Sequence, residues 1–249
     1  MINSMPNTIL FPHGYAPWLS QMLVLIALAT GFTGNIVAQT DWFKGNLHTH
    51  SLWSDGDEYP EMIAEWYRTN GYHFLAISDH DAHNYHAYDS NKSNPGRGWV
   101  MVRAARLDAP SIIDTMEKGD FYASSGVRLF DVRRDRKRLG LIIEPEPGVT
   151  YRTQFIGTRI GYDPSSMPVI GTNGQPLAVT RIYSSDIGQV FAEVAGTTPS
   201  YTLKGNELYV RAKVISSKPK SNPYAKGEVD VAWSQPLVGA SKRKSHVGC

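Results

Sequence analysis

The first regular pattern of apolar and polar positions in this chain is a strand, a helix and a second strand between residues 42 and 78. Residues 42–48 predict a strand, and residues 74–78 form the continuous apolar run that is typical of a strand buried on both faces. Pro60 begins the helix between them and Asn70-Gly71 ends it. The apolar stripe of this helix consists of Met62, Ile63, Trp66 and Tyr67. Such a βαβ unit predicts a parallel sheet with its functional groups at the carboxyl ends of the strands.

The pattern changes after residue 126. Before it, residues 99–104 predict a strand, Asp108 caps a helix over 109–118, and residues 121–126 predict a short strand or turn. From Val127 onward, short alternating runs are separated by clusters of Gly, Pro, Asn and Ser, which predicts an antiparallel sheet or sandwich. The runs are 141–144, 153–157, 179–183, 207–215 and 229–233.

Composition indicates a globular protein. The 249 residues are 41% hydrophobic and 19% charged, enough for one large domain or two ordinary ones. The net charge of +2 says little, although residues 133–138 are strongly basic. We interpret that run as a solvated turn or linker and predict no nucleic-acid partner, because no aromatic side chains are interleaved with it.

The amino-terminal segment resembles a secretory signal. An apolar stretch over 22–29 continues with small residues to Val37-Ala38, which favours a signal peptide over 1–38. A membrane anchor is less favoured, because the run falls short of about 20 uninterrupted apolar residues. The only cysteine is Cys249, so no intramolecular disulfide can form. We expect an exported, periplasmic or extracellular bacterial protein without a membrane span after cleavage.

The candidate chemistry lies in a run of histidines and aspartates. Six of the eight histidines fall between His48 and His86. Neutral imidazole and carboxylate are ligands for Zn²⁺, Mn²⁺ and Fe²⁺, and an H-x-H pair within a strand points both rings to one face. Two or three such ions can activate water and bind the oxygens of a phosphoryl group. The candidate ligands are His48, His50, Asp55, His80, Asp81 and His83. The alternative is that these are unrelated surface or core histidines.

Two further side chains are catalytic candidates. Asp79 can be a metal ligand, a strand-end cap or, as we favour, the acceptor that orients a ligating imidazole. Arg97 can pair with an anionic substrate, as can Arg103 and Arg106, although for any one of them a surface salt bridge is the favoured explanation. His73, before the apolar run, is interpreted as structural.

Four motifs in this order resemble the PHP family, the polymerase and histidinol phosphatase domains, in its exported phosphoesterase-like form. They are residues 47–51, 54–56, 71–72 and 76–80. The resemblance implies a distorted β/α barrel whose two or three Mn, Zn or Fe ions hydrolyse the phosphate ester of a small substrate. It implies that His48 and His50 hold one ion, that Asp55 and His80 hold its neighbour, and that Asp81-Ala82-His83 corresponds to the last ligand motif.

One departure from the family is large, because the middle of the barrel is missing. His80 runs directly into Asp81, whereas a crossover between parallel strands takes a dozen or more residues and a complete barrel at least about 200. We therefore expect an α/β fold with an incomplete, TIM-like, PHP-type barrel over 41–126. A β-rich, sandwich-like domain over 127–237 and a disordered tail over 238–249 would follow it.

The predicted function is metal-dependent phosphoesterase activity. Two alternatives stay open: a metal-binding remnant without turnover, and an exported β-domain interaction protein. A shortened barrel would expose apolar surface, so self-association is also expected.

Overall fold

The computed structural model describes residues 7–10, 39–49, 59–77 and 94–239. The chain divides into two compact units. The first contains Met1–His86 and Val100–Asp120, and the second contains Ala87–Trp99 and Phe121–Cys249.

The first unit contains a mixed sheet in which one pair of strands is parallel. Its described strands are β1 (Asn7–Leu10), β2 (Asp41–Asn46), β3 (Phe74–Ile77) and β4 (Trp99–Ala104), in the order β1-β3-β2-β4. Strands β2 and β3 are parallel, whereas β1 pairs antiparallel with β3 and β4 pairs antiparallel with β2. Strand β1 lies within the predicted signal peptide.

A glycine fixes how β2 and β3 meet. Gly45 of β2 is the cross-strand partner of Phe74 of β3. A Cβ atom on Gly45 would lie 2.0 Å from the Phe74 ring, so this ring packs directly on the β2 backbone. Because any other side chain at position 45 would displace the ring, the glycine supports this register.

Both helices of the first unit begin and end at local sequence signals. The helix α1 (Pro60–Thr69) has proline in its first turn and ends at Asn70, before Gly71 with φ of 73°. The helix α2 (Ala109–Glu117) is capped by Asp108 Oδ1, which accepts a hydrogen bond from Ser111 N at 2.8 Å. Both predicted helices are confirmed.

The buried face of α1 is narrower than its apolar pattern indicates. Ile63 and Tyr67 are buried, whereas Trp66 is half-buried and Met62 is 57% exposed. Positions four apart on a helix share a face, and here that single row is the buried face of the helix.

The second unit is built from antiparallel strands. Its described strands are β5 (Phe121–Ser124), β6 (Leu129–Arg134), β7 (Arg138–Ile143), β8 (Tyr151–Arg159), β9 (Ser166–Ile170), β10 (Pro176–Tyr183), β11 (Gln189–Ala195), β12 (Ser200–Thr202), β13 (Glu207–Pro219), β14 (Val229–Ser234) and β15 (Leu237–Val238). The largest group of paired strands has the order β5-β14-β13-β8-β11, with β15 paired to β13. A three-stranded sheet has the order β12-β7-β6, and β10 and β9 form a two-stranded sheet.

The core of the second unit follows the alternation of its strands. Leu139, Leu141 and Ile143 of β7 are buried, while the residues between them lie on the opposite face. Phe155 is fully buried and stacks on Tyr201 with ring centroids 5.6 Å apart. The apolar alternation in the sequence therefore marks the inner face of this unit.

The predicted α/β fold with an incomplete TIM-like, PHP-type barrel is wrong. Among the described residues, strands predominate, the two helices have ten and nine residues, and no closed barrel forms. A β/α barrel requires parallel strands around the whole sheet. Here antiparallel neighbours flank the parallel pair on both sides, so the described sheet cannot continue as such a barrel. Within the described ranges no helix is long and apolar enough to span a membrane.

Candidate functional site

The candidate site lies at one edge of the sheet in the first unit. The register pairs Gly45 with Phe74 and Asn46 with Leu75, so β2 and β3 run in the same direction side by side. The chain consequently leaves both strands at the same edge. His48 follows the end of β2 by two residues, and in the sequence Asp79 and His80 follow the end of β3 by two and three. Functional groups collect at such carboxyl edges in parallel sheets.

Asn46 organises the turn that carries His48. Its Nδ2 donates to His48 O at 3.0 Å and to Thr49 Oγ1 at 2.8 Å, while its Oδ1 accepts from His48 N at 3.3 Å. Nδ2 also donates to Tyr67 Oη, which joins the turn to α1. Thr49 and Tyr67 are both buried, so the turn is held from beneath while His48 is exposed.

The support below this turn is aromatic. Tyr67 packs edge-on against Tyr72, with ring centroids 4.7 Å apart, and against Trp66 at 5.0 Å. Edge-to-face pairs of this kind stabilise a core beyond simple burial. The position of the His48 turn is therefore tied to the packed face of α1.

Lys44 braces the opposite end of β3. Its Nζ lies 3.8 Å from the centroid of the Tyr72 ring and donates to Asn70 O, a carbonyl at the end of α1, at 3.3 Å. Burial lowers the pKa of Lys44 to about 8. Lys44 N donates to His73 Nδ1 at 3.0 Å and Lys44 O accepts from His73 N at 2.7 Å. His73 is thus structural, as its position in the sequence predicted.

The structure describes one of the six predicted metal ligands. Strand β2 ends at Asn46, two residues before His48, and His48 is exposed. The prediction that the strand extends through His48 is therefore wrong. In the described parts of the chain no three His, Cys, Asp or Glu residues form a group that could hold a metal ion. The other five predicted ligands, and the catalytic candidate Asp79, lie outside the described residues: His50, Asp55, His80, Asp81 and His83.

Arg97 has backbone partners in the second unit. Its Nε donates to Asn222 O at 3.1 Å, and its Nη2 donates to Pro223 O at 3.0 Å and to Asn94 Oδ1 at 2.9 Å. Its guanidinium also lies over the ring of Tyr224, 5.5 Å from the centroid. These contacts indicate that Arg97 holds the 222–224 segment in place.

The other two arginines pair with carboxylates. Arg103 Nη2 lies 2.9 Å from Asp120 Oδ1, and Arg106 Nε lies 2.9 Å from Asp108 Oδ2. Salt bridges were the favoured explanation for these side chains, and the structure contains them.

Sequence patterns did not identify Asn46 or Lys44. Asn46 stands directly before the Leu47-His48-Thr49-His50 motif, and an asparagine that ends a strand often folds its side chain onto the next backbone groups. That signal was present in the sequence. Lys44 had no comparable signal, because its surroundings come from α1 and the start of β3.

Comparison with models of protein families, with curated proteins and with solved structures finds no match for this chain.

Proposed function

We propose that this protein is a metal-dependent phosphoesterase whose site lies at the carboxyl edge of β2 and β3. The proposal rests on the motifs that resemble the PHP family, without the barrel of that family. The observation that carries it is the parallel register of β2 and β3. Because of this register, β2 and β3 end at the same edge of one sheet. In the sequence, His48-Thr49-His50 follows the end of β2 and Asp79-His80 follows the end of β3.

The chemistry of the donor set supports a divalent ion. Imidazole nitrogens and carboxylate oxygens suit Mn²⁺, Fe²⁺ or Zn²⁺, and an ion of this kind, when bound, supplies an activated water and polarises phosphoryl oxygens. His48 is exposed to solvent. The ligands proposed to join it are His50, Asp55, His80, Asp81 and His83.

The protein groups around His48 would orient its ring. Asn46 binds both the N–H and the carbonyl of His48 and anchors the same turn to Tyr67. A turn held in this way limits the positions of the imidazole before any ion binds, which lowers the cost of assembling a site. Asp79 is proposed to accept the N–H of a ligating imidazole. The contacts of Arg97 favour a structural role over phosphate recognition.

A second candidate is a metal-binding protein without turnover. The observation that favours it is the antiparallel pairing of β1 and β4 on either side of the parallel pair. A further parallel strand would place its carboxyl end at the same edge as those of β2 and β3. Because β1 and β4 are antiparallel, their amino-terminal ends lie at that edge instead. Fewer strand ends leave fewer positions for the ligands and bridging carboxylate of a multinuclear centre.

Metal content and turnover separate the two candidates. The purified chain would be loaded with Mn²⁺ or Zn²⁺, desalted and analysed for metal per chain, and then assayed with p-nitrophenyl phosphate. The phosphoesterase predicts at least one bound ion and a rate that His48→Ala abolishes, with His246→Ala as the control histidine outside the cluster. Bound metal without turnover would favour the second candidate. A chain that binds less than one ion would contradict both.

We also propose that the protein is exported after removal of residues 1–38. Removal would take β1 away and leave the outer edge of β3 open to another strand, which supports the proposed self-association. Mass spectrometry of the protein from the periplasmic fraction would locate the cleavage site. Sedimentation of the chains 1–249 and 39–249 would then test whether loss of β1 promotes association. Equal sedimentation would contradict the association.

A further inference from the structure

The three-stranded sheet of the second unit carries a basic cleft on its outer face. Strand β7 lies between β6 and β12, and the register places Arg133 of β6 and Ser200 of β12 on either side of Gly140 of β7. Cross-strand partners project from the same face of a sheet. Leu139 and Leu141 are buried on the inner face, so the row through Gly140 belongs to the outer one.

Gly140 forms the floor of this cleft. Because it has no side chain, an open volume of about 250 Å³ remains between the neighbouring strands. Hydrogen bonds from Leu141 N to Pro199 O and from Ile143 N to Thr197 O extend the pairing of β7 with β12 and hold the far wall in place. Six residues that line the cleft carry its chemistry: Arg133, Asp135, Arg138, Gly140, Thr198 and Ser200.

The two arginines are held by neighbours that leave most of their donors available. Arg138 Nη2 donates to Ser200 Oγ at 2.8 Å, and Arg133 Nε donates to Asp131 Oδ2 at 2.8 Å. Each bond uses one of the five N–H groups of a guanidinium. Ser200 accepts from Arg138 in its bond, so its own O–H remains able to donate.

The single carboxylate in the cleft is directed at the backbone. Asp135 Oδ1 accepts hydrogen bonds from Lys137 N at 2.7 Å and from Arg138 N at 2.8 Å, which hold the turn between β6 and β7. These bonds lower the pKa of Asp135. Residues 131–138 contain five cationic and two acidic side chains, so the surroundings of the cleft are positive.

We propose that this cleft binds an oxyanion of the phosphate class, free or as the terminal group of a small molecule. Guanidinium groups match the geometry of tetrahedral oxyanions, and hydroxyl donors complete such sites. The volume is slightly below the 300–1,000 Å³ that is typical of drug-sized ligands, which suits a phosphate with a small organic group. The site needs no metal ion and does not depend on the proposed phosphoesterase activity.

Calorimetric titration of the full chain with inorganic phosphate tests the proposal. EDTA is present throughout, so that the His48 site contributes no bound metal. We expect saturable binding that weakens as NaCl is raised. Titration with phenyl phosphate shows whether the site accepts an esterified phosphate, and acetate serves as the probe for a carboxylate. Binding of phosphate but not acetate supports the phosphate class, and equal binding of the two overturns it.

Three variants locate the site and one matched variant controls for charge. Arg133→Gln and Arg138→Gln should each weaken phosphate binding by about tenfold or more, because each removes a charged donor. Gly140→Leu should be tolerated by the fold, because a Cβ atom at this position would lie 3.7 Å from its nearest neighbour, Ser200 Cβ, an ordinary van der Waals distance. The rest of the leucine side chain would fill the open volume and block the cleft. Arg181→Gln is the control, because Arg181 is an exposed arginine that also donates to a serine, Ser166 Oγ, at 2.7 Å.

Thermal melts establish that each variant is folded before it is titrated. Unchanged binding in both cleft arginine variants, or an equal loss in Arg181→Gln, would show that phosphate binds elsewhere or only through net charge. Either result would overturn the proposal, as would the lack of saturable binding to the wild-type chain.

Discussion

Replacement of Asn46 by alanine should destabilise the turn that carries His48. The side chain makes four polar contacts, with the backbone N–H and carbonyl of His48 and with the hydroxyls of Thr49 and Tyr67. Three of these share the two hydrogens of the amide nitrogen, so together the four amount to about three hydrogen bonds. A net hydrogen bond contributes about 0.5–1.5 kcal/mol to stability. Because the two bonds to His48 are exposed, we place them at the low end and expect a total loss of about 2–3 kcal/mol.

Asn46→Asp should be milder than Asn46→Ala. The carboxylate retains an acceptor for His48 N, and the hydroxyls of Thr49 and Tyr67 can rotate to donate to it. Only His48 O would then face an acceptor instead of a donor. We expect Asn46→Asp to lose about half as much stability as the alanine variant.

Urea denaturation measures the free energy of unfolding of these variants, and hydrogen exchange of peptides from residues 39–49 and 59–77 assigns the change to the first unit. Asn70→Ala is the matched control, because its side chain makes one exposed bond, from Nδ2 to Trp66 O at 2.8 Å. It should cost about 0.5–1 kcal/mol and leave exchange in residues 39–49 unchanged.

Two results would refute this reasoning. An Asn46→Ala variant within about 0.5 kcal/mol of the wild type would show that the hydrogen bonds do not hold the turn. A loss of stability in Asn70→Ala as large as that in Asn46→Ala would show that the loss does not depend on the particular hydrogen bonds of Asn46. In a separate measurement, Asn46→Ala should weaken metal binding if His48 is a ligand, while Asn70→Ala should not.

Three further predictions concern packing and protonation. Glu207→Gln should cost about 2–3 kcal/mol, because the fully buried carboxylate accepts bonds from Lys204 N and its neighbours and the new amide would face donors. Burial raises the pKa of Glu207, but the bonds from Lys204 and its neighbours outweigh it and lower the pKa overall. The wild-type chain should therefore lose stability as pH falls below the ordinary glutamate pKa, and an equally steep acid loss in Glu207→Gln would contradict this. For Lys44, whose pKa falls from 10.5 to about 8, the neutral form is favoured in the folded chain, so stability should rise between pH 8 and 10.5. Urea midpoints across that range should rise less in Lys44→Met, and identical profiles would refute the assignment. Gly126→Ala should cost about 1–3 kcal/mol in a thermal melt, because the new Cβ would lie 2.1 Å from the Asp230 carboxylate, and an unchanged melt would contradict that contact.

The helices could be predicted from the sequence because their signals are local. Pro60 and Asp108 mark the two starts, and Asn70-Gly71 and Gly119 mark the two ends within one residue of the structure. These signals act through backbone conformation and single hydrogen bonds to neighbours along the chain. They need no information about the rest of the fold.

Strand pairing was predicted less well, since it depends on residues that are distant in the sequence. The βαβ pattern led to the parallel pair of β2 and β3, but nothing in residues 99–104 shows that β4 returns antiparallel to β2. The alternation of a strand reports which face is buried and does not report which neighbour it has. The barrel prediction failed at this point.

The candidate sites divide in the same way. The order of the histidine and aspartate motifs, and hence the proposal of metal chemistry, is a property of the sequence alone. The support of His48 by Tyr67 and the cleft of Arg133, Gly140 and Ser200 exist only in the folded chain. Those residues come from segments about 20 and 60 positions apart, which the helix contact and the sheet register bring together. Local chemistry therefore determined the elements and the ligand types, and tertiary packing decided which side chains meet.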